Sequence, residues 1–176
     1  MKRSKVVEFE RICKERYSVR KFSSRKVEEE KIAKILELTR LAPTARNNQP
    51  YEIYVAKTGE ALEKVKKGRD NLLGAPLVFV VCSDEEKNWM HPHNDKNSTL
   101  QDIGIVCTTL MYACSEVGLG SLYVCAFDPE STKKAVGIKE NLTPETLILV
   151  GYPDSDCTTS PNKGVRRQIE EFVHNV

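Results

Sequence analysis

Helices and strands mix along this chain of 176 residues, and their order predicts an α+β domain. Two observations carry that expectation. The connections around the first two strand-like runs do not form a clean βαβ series. No Gly-x-Gly-x-x-Gly follows a strand, so a dinucleotide-binding unit of the Rossmann kind lacks its fingerprint. The length suits one domain, residues 1–176, able to bury a core of its own.

Val7 to Glu15 reads as a short helix. Glu28 to Leu41 is a longer one, because Ile32, Ile35, Leu36 and Thr39 recur at helical spacing with charges between them. Pro43 ends it. Tyr51-Glu52-Ile53-Tyr54-Val55 alternates and is rich in aromatic and β-branched residues, the pattern of a strand. Gly59 to Lys67 is a short basic helix. Pro76 to Cys82 is an apolar run of strand length, expected to be buried on both faces. Ser98-Thr99-Leu100-Gln101 has the form of a capping box, serine with glutamine three residues on. It opens Leu100 to Val117, which is apolar nearly all round and therefore expected to be central and buried. Gly118 and Gly120 stop it. Leu122 to Phe127 is the third strand. Asp128-Pro129 offers an N-cap and a first-turn proline to a helix running to Val136. Thr146 to Val150 is the fourth strand. From Pro153 the chain is polar and punctuated by Pro and Gly, with a short amphipathic end around Val165 to Val173.

Charge excludes several partners. The 27 basic and 25 acidic residues leave a net charge of +2, which argues against nucleic acid and against a polybasic membrane surface. No apolar stretch of signal-peptide length follows the basic Met1-Lys2-Arg3-Ser4-Lys5, and no run approaches a membrane span. A cytoplasmic location is expected. The six cysteines, at 13, 82, 107, 114, 125 and 157, contain no Cys-x-x-Cys pair, so free thiols and no metal site are expected. Cys107 and Cys114 are seven apart on an apolar helix and read as small buried hydrophobes. Trp89-Met90-His91-Pro92-His93-Asn94 gathers the only tryptophan and two of the three histidines. His91 and His93 have no ligand-spaced partner, so the segment reads as a loop.

Two segments carry the chemistry. Arg16-Tyr17-Ser18-Val19-Arg20-Lys21-Phe22 sets two guanidinium groups and a hydroxyl at alternate positions. In an extended run alternate side chains point the same way, so Arg16, Ser18 and Arg20 offer two forks and a hydroxyl to one anion. Arginine forks suit phosphate because they bind it bidentately and stay charged. Ala42-Pro43-Thr44-Ala45-Arg46-Asn47-Asn48-Gln49-Pro50 presents three amides between prolines. Amides offer donors and acceptors together, which suits the edge of a planar heterocycle. A phosphate grip and an amide edge-reader point to a nucleotide-like cofactor.

These segments resemble the nitroreductase family of FMN-dependent oxidoreductases. Arg-x-Ser-x-Arg-x-Phe near the N-terminus and Ala-Pro-Thr-Ala-x-Asn-x-Gln-Pro-Tyr after one helix are similar to that family's first two blocks. Gly118 to Glu130 resembles its flavin-facing strand and the helix start after it. Leu147 to Pro153 with Arg166-Arg167-Gln168-Ile169-Glu170-Glu171 resembles its C-terminal strand and basic tail. Four blocks stand in order from about Arg11 to Val173.

The resemblance implies a sandwich with helices on both faces of a mixed, largely antiparallel sheet. It implies a homodimer with FMN at the subunit interface, often with the asparagine supplied to the other subunit's flavin. It assigns Arg16, Ser18 and Arg20 to the FMN phosphate and ribityl chain, with Tyr17 contributing backbone contacts. Asn47 would face the pyrimidine edge, with Gln49 beside it. Leu122, Tyr123, Cys125 and Ala126 lie on the flavin-facing stretch, the last two with backbone N–H groups near flavin N5. Cys125 stands where short members often have glycine. At least one of Arg166 and Arg167 would reach the phosphate. The implied activity is a ping-pong cycle in which NAD(P)H passes hydride through flavin N5 to an electron-poor acceptor, a nitroaromatic or quinone. The absence of any Ser/His/Asp or Cys/His arrangement agrees, because FMN supplies the chemistry. A flavin-binding protein without turnover, a thiol-based redox enzyme, and a flavin-dependent reductive dehalogenase or enoate reductase are the alternatives.

Overall fold

The computed structural model describes residues 5–176; the basic start at residues 1–4 lies outside them. The helices are α1 (Lys5–Glu15), α2 (Glu29–Thr39), α3 (Gly59–Val65), α4 (Thr99–Glu116) and α5 (Pro129–Val136). The strands are β1 (Tyr51–Ala56), β2 (Leu77–Asp84), β3 (Gly120–Val124) and β4 (Leu142–Gly151). They form one antiparallel sheet in the order β1-β2-β4-β3. The one parallel pairing among the described residues near the sheet is an isolated bridge from Ser18 to Ser121.

Alternation along the strands sorts the core into two layers. Val78, Val80, Leu122, Val124, Leu147 and Leu149 face α3 and α5, with Val65 and Ile138 packed on them. Leu77, Phe79, Val81, Ile148 and Val150 face α2 and α4, meeting Ile32, Ile35, Ile103, Cys107 and Leu110. Helices thus cover both faces of an α+β sandwich. β2 is buried along its whole length, as an unbroken apolar run requires.

Several local expectations need correction. Ser98 is not a capping-box serine. Its backbone is helical and its hydroxyl makes no cap; it donates instead to Asp102 Oδ2 at 2.7 Å. α4 is not buried all round, because Leu100 is 69% and Ile105 40% exposed. The third strand is Gly120–Val124 rather than Leu122 to Phe127, since Gly120 and Ser121 pair with Gly151 and Val150. β4 starts four residues early, at Leu142; a register shift opposite Val81 and Cys82 accommodates Pro144, the kind of irregularity that tolerates proline. The amphipathic end forms only a short 3₁₀ turn at Ile169–Glu171. The Asp128 cap is present: its carboxylate accepts from Ser131 N–H at 3.1 Å. None of the described helices is long and apolar enough to cross a membrane.

One polar clamp ties α2 to the end of β4. Tyr152 Oη donates to Glu28 at 2.7 Å and accepts from Lys31 Nζ at 2.9 Å. Arg25 stacks over the Tyr152 ring at 4.0 Å and pairs with Glu28 at 2.7 Å. The tyrosine hydroxyl, a backbone N–H and Arg25 hold the Glu28 carboxyl at about 2, below its ordinary 4.5.

Two stability predictions follow from this packing. Phe79→Ala, in the fully buried centre of β2, should cost about 3–5 kcal/mol in urea unfolding; a loss under about 1 kcal/mol would remove Phe79 from the packed centre. A depressed carboxylate stabilises a fold above its unfolded value and loses that contribution as pH falls toward its folded one. Glu28→Gln should therefore be less stable than the parent at neutral pH. The gap should close between pH 4.5 and about 2. A gap independent of pH would contradict the clamp.

Candidate functional site

Residues 16–20 leave α1 in an extended run along the outer edge of β3. Ser18 bridges Ser121, and Val19 N–H donates to Ser121 O at 3.1 Å. Val19 is buried at 1% exposure. It packs on Gly120, where a Cβ would stand 2.5 Å from Val19 Cγ2, so glycine is what permits this approach. With Val19 turned inward, Arg16, Ser18 and Arg20 share one cleft with Tyr17, Ser160, Asn162, Lys163 and Arg166. The alternate spacing in the sequence predicts that grouping.

No carboxylate lines the cleft, which holds Arg16, Arg20, Lys163 and Arg166 together. Several cations elsewhere pair with carboxylates: Lys21 with Asp154 and Asp156, Arg25 with Glu28, Arg40 with Glu37, Lys57 with Glu29. Among the described residues none of the four cleft cations has such a partner. Arg166 is held by its own turn, donating to Lys163 O at 3.0 Å and Val165 O at 2.7 Å. Lys163 Nζ sits 4.9 Å above the Tyr17 ring. Four cations without carboxylate partners, with hydroxyls between them, are an arrangement that suits an anion. Arg167 lies elsewhere, its guanidinium over Phe172 at 5.2 Å. Sequence reasoning missed Ser160, Asn162 and Lys163. Their signal was Ser160-Pro161, which opens a short 3₁₀ turn in which Ser160 Oγ accepts from Asn162 N–H at 3.3 Å.

The end of β3 lies beyond this cleft. Leu122 puts its side chain into the core, while Tyr123 is 38% exposed on the other face. Burial, then the Cys107 and Cys125 thiols, push the Tyr123 hydroxyl up to about 12. Cys125 and Ala126 are exposed. Arg69 Nη1 donates to Ala126 O at 2.7 Å, which fixes the peptide after the strand.

The amide loop is a wound turn. Arg46, Asn47 and Gln49 all have positive φ, at 52°, 57° and 51°. Three non-glycine residues in that region within four positions store strain that their surroundings must offset. Thr44 supports them: its Oγ1 accepts from Gln49 N–H at 3.0 Å and its carbonyl from Asn47 N–H at 2.9 Å. Gln49 Nε2 donates to Asn47 O at 3.2 Å. Asn47 and Gln49 are exposed and do not line the arginine cleft. They adjoin the start of α4, through Ala45 N–H on Asp102 at 2.9 Å. The cleft region adjoins its far end, where Arg16 and Ser115 line a common hollow. At 1.5 Å per residue, Asp102 and Ser115 stand on the order of 20 Å apart.

The Trp89–Asn94 segment is a loop, as its sequence predicts. Trp89, His91 and His93 stack edge to face at 5.5 and 5.8 Å. A Met90–Asn97 bridge closes it. Among the described residues no three His, Cys, Asp or Glu side chains gather as metal ligands.

The sequence model of the Nitroreductase family matches residues 13–68 and 63–152, four-fifths of the chain. This chain belongs to the nitroreductase family. A relative from Archaeoglobus fulgidus, provisionally named an NADH dehydrogenase/NAD(P)H nitroreductase, is 30% identical over 148 residues, 80% of this chain and 83% of its own length. The crystal structure of a nitroreductase family protein from Clostridium difficile 630 is 35% identical and superposes with a TM-score of 0.83 over 93% of this chain and 95% of that one. An FMN-dependent nitroreductase from Clostridium difficile R20291 shares the fold at 24% identity, with a TM-score of 0.74 over 93% and 96%.

The residues of this nitroreductase-family chain fit FMN. The cationic cleft, about 200 Å³, would take a phosphate but is smaller than the roughly 300–1,000 Å³ of a complete ligand site. The ring of a bound FMN would lie on surface outside it. The contrast between the two tail arginines makes a prediction. Arg166→Ala should weaken FMN binding about tenfold to a hundredfold, the loss of one charge-assisted contact. Arg167→Ala should change it less than about threefold. Equal losses in a fluorescence titration would contradict this placement.

Proposed function

We propose that the chain is an FMN-dependent NAD(P)H oxidoreductase that reduces an electron-poor acceptor, a nitroaromatic or quinone, in ping-pong order. The observation that carries this reading is the cluster of four cations without carboxylate partners beside Ser18, in a chain of this family. Arg16, Arg20, Lys163 and Arg166 would neutralise the phosphate, and Ser18 would donate to it. Asn47 and Gln49 would meet the pyrimidine edge. The peptides of Cys125 and Ala126 would offer N–H groups to the ring. Bound FMN supplies the redox chemistry: it takes two electrons from the nicotinamide and gives them to the acceptor. A thiol mechanism is disfavoured at the three buried cysteines, because burial pushes the Cys82 and Cys107 thiols up to about 12 and raises that of Cys114 as well.

A homodimer that shares its sites completes the reading. In one copy the cleft and the amide loop flank opposite ends of α4. The outer face of α4 carries exposed Gln101, Ile105 and Thr108 and half-buried Gly104 and Tyr112, without a charge. Thr108 and Thr109 turn their hydroxyls back to Gly104 O and Ile105 O at 2.8 and 2.9 Å, which leaves that face effectively less polar. Two copies paired through it about a two-fold axis, with their α4 helices antiparallel, would bring one copy's cleft toward the other's amide loop.

Heat-released cofactor should run as FMN on chromatography, and anaerobic NADH or NADPH should bleach the bound flavin. FAD as the main species would sink the proposal. FMN that neither nucleotide reduces would favour a flavin store. Mixing Arg16→Ala and Asn47→Ala chains should regenerate one intact site per heterodimer. Heterodimers that regain no flavin binding would contradict the shared arrangement.

A further inference from the structure

Asp102 is the one buried carboxylate in the first turn of α4, 3% exposed. Its two oxygens hold two loops. Oδ1 accepts the Ala45 N–H at 2.9 Å, and Oδ2 accepts the Ser98 hydroxyl at 2.7 Å. Ser98 in turn closes the aromatic loop: its N–H donates to Trp89 O at 2.9 Å and its Oγ accepts from Trp89 N–H at 3.3 Å. The rest of the amide turn is bonded mainly to itself, through Thr44, Ala45 and Asn47. Ala45 N–H on Asp102 therefore ties the positive-φ turn Arg46–Gln49 to the helix. A buried carboxylate tolerates desolvation only when its oxygens are hydrogen-bonded; here one bond goes to the amide loop and the other to Ser98, the N-cap residue through which the aromatic loop enters α4.

We propose that Asp102 is a positioning residue for the flavin site: it holds the Asn47 turn in its strained geometry and links it to the Trp89–Asn97 loop. The proposal rests on the reading of Asn47 as flavin-facing. The strain sets the logic. A turn with three non-glycine residues at positive φ relaxes unless its flank is fixed. A charge-assisted bond from Ala45, one residue before Arg46, fixes it at the nearest point. Asp102 itself touches no ligand. It acts by keeping the Asn47 amide where a ligand edge meets it, and the Ser98 bond makes the aromatic loop share that restraint.

The test is FMN titration of Asp102→Ala, Asn47→Ala and the double variant, with the flavin absorbance band recorded for each. Asp102→Ala should weaken FMN binding about tenfold and shift the band as Asn47→Ala does. The double variant should bind no worse than Asn47→Ala alone, because both remove one contact. Combined with Arg16→Ala, the losses should multiply. Asp102→Asn, which keeps an acceptor for Ala45, should restore most of the affinity. Amide exchange at Ala45 should speed up in Asp102→Ala and stay slow in Asp102→Asn. If Asp102→Ala does not fold, Ser98→Ala replaces it and should show the same non-additivity with Asn47→Ala at smaller size. Losses that multiply between Asp102 and Asn47, or an unshifted band, would overturn the positioning role. If Asn47→Ala alone leaves binding and spectrum unchanged, the flavin-facing reading of Asn47 fails instead, while faster Ala45 exchange would still report the Asp102 restraint on the turn.

Discussion

α4 packs across the β2–β4 centre of the sheet through Ile103, Cys107, Leu110, Ala113 and Cys114, and both halves of the candidate site depend on where its ends fall. Its first turn carries Asp102, which receives the amide turn. Its last turn ends at Glu116, and Gly118 just beyond it, with a φ of 75°, reverses the chain into β3. β3 then offers its outer edge to residues 16–20. An error in the seating of this helix would move the amides and the arginines together. The outward side of this helix is also free of charge: it carries no acidic or basic residue between Asp102 and Glu116.

The cleft is a different kind of constraint. Hydrophobic packing sets its walls, through Val19 on Gly120, but its contents oppose folding. Arg16, Arg20, Lys163 and Arg166 gain nothing from one another, and among the described residues they lack the carboxylate partners that Lys21 and Arg40 have. A protein that gathers like charges in this way gains stability when an anion arrives, by mass action on the folded state. Anion binding and folding would thus be coupled at this end of the molecule, whereas at the amide turn the restraint is internal, through Thr44 and Asp102.

Much of the architecture was legible because it follows simple periods. Alternation gave β1, an unbroken apolar run gave β2, and a 3.6-residue pattern gave α2. Arg16, Ser18 and Arg20 were legible for the same reason: an extended run puts alternate residues on one side, and Val19 between them is the apolar residue that turns inward. What was not legible depends on partners distant in sequence. Ser98 reads as a cap until Asp102 is seen to draw its hydroxyl away. Leu142 to Glu145 reads as loop because the bulge that admits Pro144 exists only against β2. Lys163 joins the cleft through the path of the tail. Arg166 and Arg167 are neighbours in sequence that part because Phe172 takes one and the carbonyls of Lys163 and Val165 hold the other.

The phosphate grip is the central claim, and thermal unfolding with two flavins tests it most directly. FMN and riboflavin share the ring and differ in the phosphate. FMN at about a hundredfold its dissociation constant should add about 2.7 kcal/mol of stability and raise the melting temperature clearly. Riboflavin at the same concentration should add little, and Arg16→Ala should remove most of the FMN effect. Equal stabilisation by both flavins, undiminished in Arg16→Ala, would contradict the account.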